Sequence, residues 1–555
     1  AKTEAYDIIL IGKSTDATGF GGASFSSATL DNEDEATNIG AVQVHDPFLK
    51  RVIVEAIKKC LSVVAEQQVS IGFKDLGAGG ISCAGSEIAV GGGFGVHLDL
   101  DKVNVAFDNL PGEVIACSET QERFCMAVPK TFSKTVLDIF NKEYQLPILY
   151  PGAGAAVIGH VTEEQQFVMT YKGETVCDLP VKSITTEVKA HRESQPKAAV
   201  QASPTISLKD SVTIKQILEK TIADKMGASK RYVYRNFDNA VRGATVVYPG
   251  EADAVVIKPI QGSNVGLAVS MDSNLYGMDD PYVAGAAAVA ESVRNVIAVG
   301  AKPLALTDCL NYGNPEKPSV FYDFEQGVLG IKEAAEALSL DPGEPIPIIS
   351  GNVSFYNESK QGNAVTPSPV VCCVGRVDDI ATVKTSQCFE AGLDIILIGK
   401  RYSEFAGTQV QQYINETALI APQLRYDEET RHNKAVLALY DNNLVHSCHD
   451  ISIGGVWQSL VEMALGERGI FRCGINYDAT VLDESLFTQL CSENGGFLLA
   501  TSDYNTAKDI LTSTGAYFKK VAKTTNEESI RIITTDQDIN VDLAQLERDW
   551  NQHNS

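Results

Sequence analysis

Two apolar runs far apart in the chain share one sequence. Asp7-Ile-Ile-Leu-Ile-Gly-Lys13 recurs unchanged as Asp394-Ile-Ile-Leu-Ile-Gly-Lys400. Four aliphatic residues closed by glycine predict a strand. Apolar positions at helical spacing then predict helices over 47–67 and 428–442. Each is followed by an Asp-to-Gly-Gly turn, Asp75-Leu-Gly-Ala-Gly-Gly80 or Asp450-Ile-Ser-Ile-Gly-Gly455, and by a further helix over 82–89 or 456–465. Cys117-Ser-Glu119 and Cys491-Ser-Glu493 match in the same order. Matches in one order at nearly constant offset read as an internal repeat, each copy spanning about 170–190 residues.

Between the copies, residues 191–211 are polar and Pro-bearing and read as a linker. Residues 212–385 form a separate module, with strands expected at 254–257 and 266–270 and a long helix over 281–299. The order is repeat unit (1–190), linker, module (212–385), repeat unit (386–555), and the fold class is α/β (α+β). Duplication of module plus unit would give four parts. The first module is missing from this order and the chain opens on Ala1, so the chain is expected to begin part-way through a longer protein. Duplication of the unit alone would give the same order.

Charge and cysteine usage narrow the function classes. Lys and Arg number 46 against 71 Asp and Glu, a formal net charge of −25. Such a surface repels phosphate backbones and anionic lipid, so neither nucleic acid nor a membrane is expected as partner. A small anion held by backbone N–H groups stays compatible with it. The 12 Cys form no CxxC pair, which argues against structural zinc, and so many thiols suit a reducing cytoplasm. Residues 1–12 lack a secretory pattern, and no apolar run approaches the ~18 residues a membrane span needs.

Several polar positions could carry chemistry. Asp75 heads a glycine-rich turn before a helix, suited to a divalent cation bridging phosphates, or equally to a tight turn with Asp as helix N-cap. Asn352 and Ser354 in Gly351-Asn-Val-Ser-Phe-Tyr-Asn357, and Asp308 in Thr307–Pro315, offer oxygens to a metal, ribose or phosphate, or serve Asx turns. Glu291 and Asn295 share one helical face, which could be a solvated face. Met271-Asp-Ser-Asn274 could be a ligand loop or a plain turn. Adjacent Cys448 and His449 make a poor nucleophile–base pair, because sequence neighbours do not face each other.

These motifs resemble one family: phosphoribosylformylglycinamidine synthase in its small form. The matching segments are Thr15–Phe25, Val42–Phe48, Asp75–Gly80, Ser118-Glu-Thr-Gln-Glu-Arg123, Asp280–Tyr282, Glu291–Gly300, Thr307–Pro318 and Gly351–Glu358. The resemblance implies tandem aminoimidazole-ribonucleotide-synthetase-like units, with a β-barrel-forming central module and α/β sandwich C-terminal parts. It implies ATP-dependent amidation of formylglycinamide ribonucleotide, with ammonia from a glutaminase subunit and a small bridging subunit. By that resemblance Asp75 and Asn352 hold Mg2+, Asp308 and Gly351 contact ATP, and Gln43, Glu119, Thr120, Gln121 and Ser354 contact the ribonucleotide. Thr120 stands where Ser is usual, and His45 where Gly is common. The family's catalytic His lies in the first module, so no catalytic residue is assigned within this chain, and the chain alone is expected to be inactive or a nucleotide-binding scaffold. Another ATP-dependent synthetase or kinase of the same superfamily is the further alternative. Because Asn494-Gly-Gly496 replaces the Thr-Gln-Glu-Arg segment in the second copy, that site reads as degenerate. Glu291, Asn295 and Asp450 are candidates there for an auxiliary ADP·Mg site.

Overall fold

The computed structural model describes residues 5–22, 43–185, 191–196, 206–341, 343–359, 362–467 and 472–553. Residues 23–25 and 42 of the resembling segments, and 197–205 of the expected linker, lie outside the described residues. The chain divides into two compact units, essentially residues 1–191 and 192–555.

The first unit is built on a seven-stranded mixed sheet. Its strands are β1 (Tyr6–Gly12), β2 (Gly72–Asp75), β3 (Gly95–Asp99), β4 (Arg123–Pro129), β5 (Gly154–Thr162), β6 (Gln166–Tyr171) and β7 (Glu174–Pro180), in the order β2-β4-β1-β5-β3-β6-β7. β1 lies between two antiparallel neighbours, β4 and β5. Its alternate side chains enter different cores: Ile8 and Leu10 pack with Ile81 and Ala84 of helix α2 (Gly80–Gly92), Ile9 and Ile11 with Leu49 and Ile53 of helix α1 (Pro47–Glu66). A strand covered on both faces needs an unbroken aliphatic run, which is what residues 8–11 supply. Helix α1 starts where Asp46 accepts a hydrogen bond from the Leu49 N–H and Pro47 presets the first turn.

The second unit contains two sheets. The first is six-stranded, from β8 (Thr245–Val247), β9 (Val255–Ile257), β10 (Gly266–Asp272), β11 (Lys302–Asn311), β12 (Ile348–Ser354) and β13 (Ser368–Val377), in the order β12-β11-β13-β10-β9-β8. It is an open sheet, with β12 and β8 at its ends, and no closed barrel occurs among the described residues. Helix α3 (Pro281–Ala298) contributes Ala288, Val289, Val293 and Ile297 to this sheet's core. It is buried around nearly its whole circumference. Its neighbour α4 (Pro318–Ala337) crosses it closely: a Cβ on Gly285 would fall 2.9 Å from the Gly327 carbonyl carbon, and one on Gly330 2.9 Å from the Ala286 nitrogen.

The last sheet repeats the first. Its strands are β14 (Asp394–Ile398), β15 (Ser447–Asp450), β16 (Gly474–Asp478), β17 (Phe497–Thr501), β18 (Phe518–Thr525), β19 (Ser529–Ile533) and β20 (Ile539–Asp542). Their order, β15-β17-β14-β18-β16-β19-β20, follows that of the first sheet with β14 in the place of β1. Helix α5 (Tyr426–Asp441) matches α1, and α6 (Gly455–Leu465) matches α2. The register agrees as well: Ile11 pairs with Phe124 and Ile398 with Phe497.

Candidate functional site

In the first unit the loop before β4 carries the polar residues singled out in the sequence. Glu119 and Thr120 are buried there, and Glu119 accepts a 2.7 Å hydrogen bond from Nε2 of Gln43. The Thr120 hydroxyl donates to Asp16 Oδ1 at 2.8 Å and accepts from the Asp16 N–H at 3.1 Å, while Ser118 Oγ donates to the Asp16 carbonyl at 2.6 Å. Burial works against an ionised Asp16, but hydrogen bonds from Thr18 and Thr120 hold its pKa below the ordinary value. Gln121 Nε2 donates within the loop to the Glu119 carbonyl at 3.2 Å.

The glycine turn braces this loop. Gly80 has φ +54° and lies where a Cβ would stand 3.1 Å from the carbonyl carbon of Cys117. The N-cap of α2 is Gly79, in the left-handed region and without a side-chain cap bond. Asp75 is therefore not the helix cap that its spacing allowed. Its carboxylate is exposed at the end of β2 and accepts no hydrogen bond among the described residues, so its oxygens are available to a cation. Gln43 and His45 are exposed just ahead of α1.

In the second unit Gly351, Asn352 and Ser354, expected in a loop, are strand residues, and Asp308, expected at a strand end, lies within a strand. Gly351, Asn352 and Ser354 lie on β12 and Asp308 on β11, paired in parallel as Asp308 with Gly351, Cys309 with Asn352 and Asn311 with Ser354. Alternation puts Asn352 and Ser354 on one face and Gly351 beside Asp308 on the other. An Asx turn is thereby excluded at Asn352 and Asp308, though Asn314 does form one by accepting from the Glu316 N–H at 2.8 Å. Burial pushes the Asp308 pKa up. Asn352 is exposed.

Glu291 and Asn295 correct a second expectation: their face of α3 is buried, not solvated. Asn295 Nδ2 donates to Asp272 Oδ1 at 2.9 Å, and Arg294 Nε lies 3.7 Å from Asp450 Oδ2 and its Nη1 3.3 Å from Glu429. Asp272 Oδ2, Asn295 Oδ1 and Asp450 Oδ2 are buried and have no hydrogen-bond partner among the described residues. Burial, reinforced by the Asp450 charge, pushes Asp272 up to about 8. Burial, Asp272 and Asp450 hold Glu291 well above the carboxylate range. Carboxylates crowded out of water with idle oxygens fit a divalent cation, which would restore their ionised forms.

His449, Asp253 and Glu462 adjoin this cluster. His449 Nδ1 lies 2.9 Å from Asp253 and Nε2 2.9 Å from Glu462, and Asp253, His449 and Asp450 could together hold a metal ion. Burial opposes a charged imidazole, yet Asp253, Asp450 and Glu462 hold the His449 pKa well above its ordinary value. Asp253, His449 and Glu462 line a cavity of about 480 Å3 that also takes in Lys230, Ser229 and Ser452. Sequence reasoning missed Asp253, His449 and Glu462 as site residues. The available signal was in the repeat, because Lys74 and Glu87 occupy the equivalent places and also form an ion pair. Cys448 is buried, and burial drives its thiol pKa well up, which fits its rejection as a nucleophile.

In the second copy the counterpart of the Ser118–Glu122 loop is surrounded by the protein's own polar groups. Arg425 pairs with Glu404 at 2.6 Å and stacks its guanidinium 3.5 Å above the Tyr402 ring, while Asn494 Nδ2 donates to Glu404 at 2.5 Å.

A duplicated α/β unit flanking a module with oxygen donors on neighbouring strands defines the class. The C-terminal domain of AIR synthase related protein matches residues 7–172 and 390–535, and the N-terminal domain of AIR synthase related protein matches residues 251–377. The chain belongs to the AIR synthase related family. It is 41% identical over 505 residues to a Methanothrix thermoacetophila protein named phosphoribosylformylglycinamidine synthase subunit PurL, covering 90% of this chain and 65% of that relative. The chain thus spans about two thirds of the length of the relative it matches. Solved structures with the same fold include Thermotoga maritima PurL complexed with FGAR (TM-score 0.66, 23% identity, 94% of this chain and 72% of that one). The same protein complexed with ATP superposes with a TM-score of 0.63 at 22% identity, over 95% and 71% of the two chains. PurLQS from the same organism gives a TM-score of 0.63 at 21% identity, over 95% and 72%.

Proposed function

We propose that this chain is part of an ATP-dependent C–N ligase that converts formylglycinamide ribonucleotide to formylglycinamidine ribonucleotide in purine biosynthesis. The observation that carries this reading is the 41% identity to a PurL subunit over 505 residues. It agrees with the chemistry of the polar groups. An amide oxygen is a poor leaving group, and transfer of the ATP γ-phosphoryl to it makes it a good one. Ammonia then adds at the same carbon and phosphate departs. Most of the catalytic work in such a step is positioning and charge stabilisation.

In this reading Gln43, Glu119, Thr120, Gln121 and Ser354 bind the ribonucleotide, and Asp308 and Gly351 meet ATP. Asp75 and Asn352 supply oxygens to Mg2+, whose role is to neutralise the phosphate charge. Residues 1–190 and 386–555 are the two C-terminal-type parts and 212–385 the N-terminal-type part, joined through 191–211. Glu291 and Asn295 of the module and Asp450 of the second copy hold a cation-bound nucleotide, with Asp272 as a further oxygen donor. The buried idle oxygens there favour that assignment. A glutaminase subunit would supply ammonia, with a small bridging subunit as a further partner, in the cytoplasm. No helix among the described residues is long and apolar enough to cross a membrane.

Calorimetric titration tests the reading. The chain is expected to bind formylglycinamide ribonucleotide, and Gln121→Ala is expected to weaken it about tenfold, near 1.4 kcal/mol. Failure to bind this ribonucleotide, with thiamine phosphate bound instead, would replace the reading with a kinase of another acceptor.

A further inference from the structure

The two copies each bury one guanidinium against the Ser-Glu loop, and they take it from opposite strands. In the first copy it belongs to Arg123, at the start of β4 and only 2% exposed. Its Nε donates to the Thr120 carbonyl at 2.9 Å, Nη2 to the Ser118 carbonyl at 2.5 Å and Nη1 to Thr15 Oγ1 at 2.7 Å. In the second copy the register puts Gly496 in the place of Arg123. There the guanidinium comes from Arg401, just beyond β14, whose equivalent in the first copy is Ser14. Arg401 Nη1 donates to the Ser492 carbonyl at 3.3 Å, and Nη2 donates to the Gly495 carbonyl. Its Nη2 lies 3.0 Å from where a Cβ on Gly496 would be. The side chain has moved to another strand and the fork-to-carbonyl contact has stayed.

We propose that Arg123 is a positioning residue that fixes the Ser118–Glu122 loop for ribonucleotide binding, and that Arg401 performs the same bracing in the second copy. The planar fork suits this task, since it reaches two carbonyls of one loop with fixed geometry, which the single point donor of lysine does not reproduce. Arg123 itself need not touch ligand: its donors are engaged with Thr15, Ser118 and Thr120, while Glu119 and Gln121 remain on the loop. The proposal rests on the reading of that loop as the ribonucleotide contact only for its effect on binding. The bracing itself does not depend on it.

Three variants separate these parts: Arg123→Lys, Arg123→Gly, and Arg123→Gly combined with Ser14→Arg. Amide hydrogen exchange over 118–122 reads the bracing, exchange over 7–11 and 124–128 reports whether the sheet is intact, and calorimetry reads the ligands. Arg123→Gly is expected to speed exchange of the loop at least tenfold with the sheet still protected. It should weaken ribonucleotide binding at least tenfold, leaving ATP within twofold. Arg123→Lys should fall close to Arg123→Gly, and adding Ser14→Arg should restore loop protection. Unchanged loop exchange in Arg123→Gly overturns the bracing role, and unchanged ribonucleotide affinity with a loosened loop overturns its link to binding. If the double variant behaves as Arg123→Gly, Arg401 is not the counterpart. If the unaltered chain binds no ribonucleotide, the functional reading fails, and the exchange data still decide the bracing.

Discussion

Gly351 leaves room for the Asp308 carboxylate across the β11–β12 pair: a Cβ at position 351 would stand 2.9 Å from Asp308 Cγ and 3.1 Å from its Oδ2. The carboxylate lies over the glycine backbone, and any side chain there must push it aside. Gly351→Ala is therefore expected to lower ATP affinity about tenfold, near 1.4 kcal/mol, and to leave ribonucleotide affinity unchanged. Parallel titrations of the two ligands check this, and equal losses for both would contradict it.

Thr120 and Asp16 form a second close pair, with the hydroxyl both donating and accepting. Thr120→Ser keeps the hydroxyl and should be nearly silent. Thr120→Val keeps the shape but strands the buried Asp16 N–H and removes one of the hydrogen bonds to Asp16 Oδ1, at a cost of about 2 kcal/mol. Denaturant unfolding of the two variants, followed by a probe in the first unit, measures the difference.

Glu493 links the stability of the second unit to pH. Burial pushes its pKa from 4.5 up to about 7, against the opposing hydrogen bonds from the Gly454 and Gln409 N–H groups and the Tyr276 hydroxyl. The folded state binds the proton more tightly than the unfolded chain. Its contribution is thus complete below pH 4.5 and is lost as pH rises through 7. The loss amounts to about 3 kcal/mol. Glu493→Gln should flatten the pH profile of Tm over this range, and an unchanged slope would show that Glu493 is not its source.

The idle oxygens of Asp272, Asn295 and Asp450 predict stabilisation by a divalent cation. Mg2+ at ten times its Kd should raise the stability of the second unit by about 1.4 kcal/mol. EDTA should reverse the gain, and Asp272→Asn or Asp450→Asn should abolish it, while Asp75→Asn should not change it. Differential scanning calorimetry distinguishes these outcomes.

Elements carried by local pattern were legible from the sequence. The helix expected over 47–67 is Pro47–Glu66, and the one over 281–299 is Pro281–Ala298. The heptapeptide shared by residues 7–13 and 394–400 does open on an interior strand of each copy's sheet. Strand identity at Gly351–Ser354 was hidden by its Gly, Asn and Ser, residues that favour turns when alone. Here pairing with β11 overrides that preference. The burial of Glu291 was hidden for a different reason. Its spacing gave the face correctly, but what covers that face comes from Asp272 and Asp450, far away in sequence. His449 gave no local signal at all, because its partners Asp253 and Glu462 belong to separate elements.

The glycine contacts between α3 and α4 have a mechanical consequence. With Gly285, Gly327 and Gly330 at backbone contact, neither helix can slide along the other without collision. The helical layer formed by α3 and α4 is therefore rigid at this crossing, and it carries Glu291 and Asn295. A single methyl group introduced at that crossing would therefore displace the backbone that carries Glu291 and Asn295 without altering either residue.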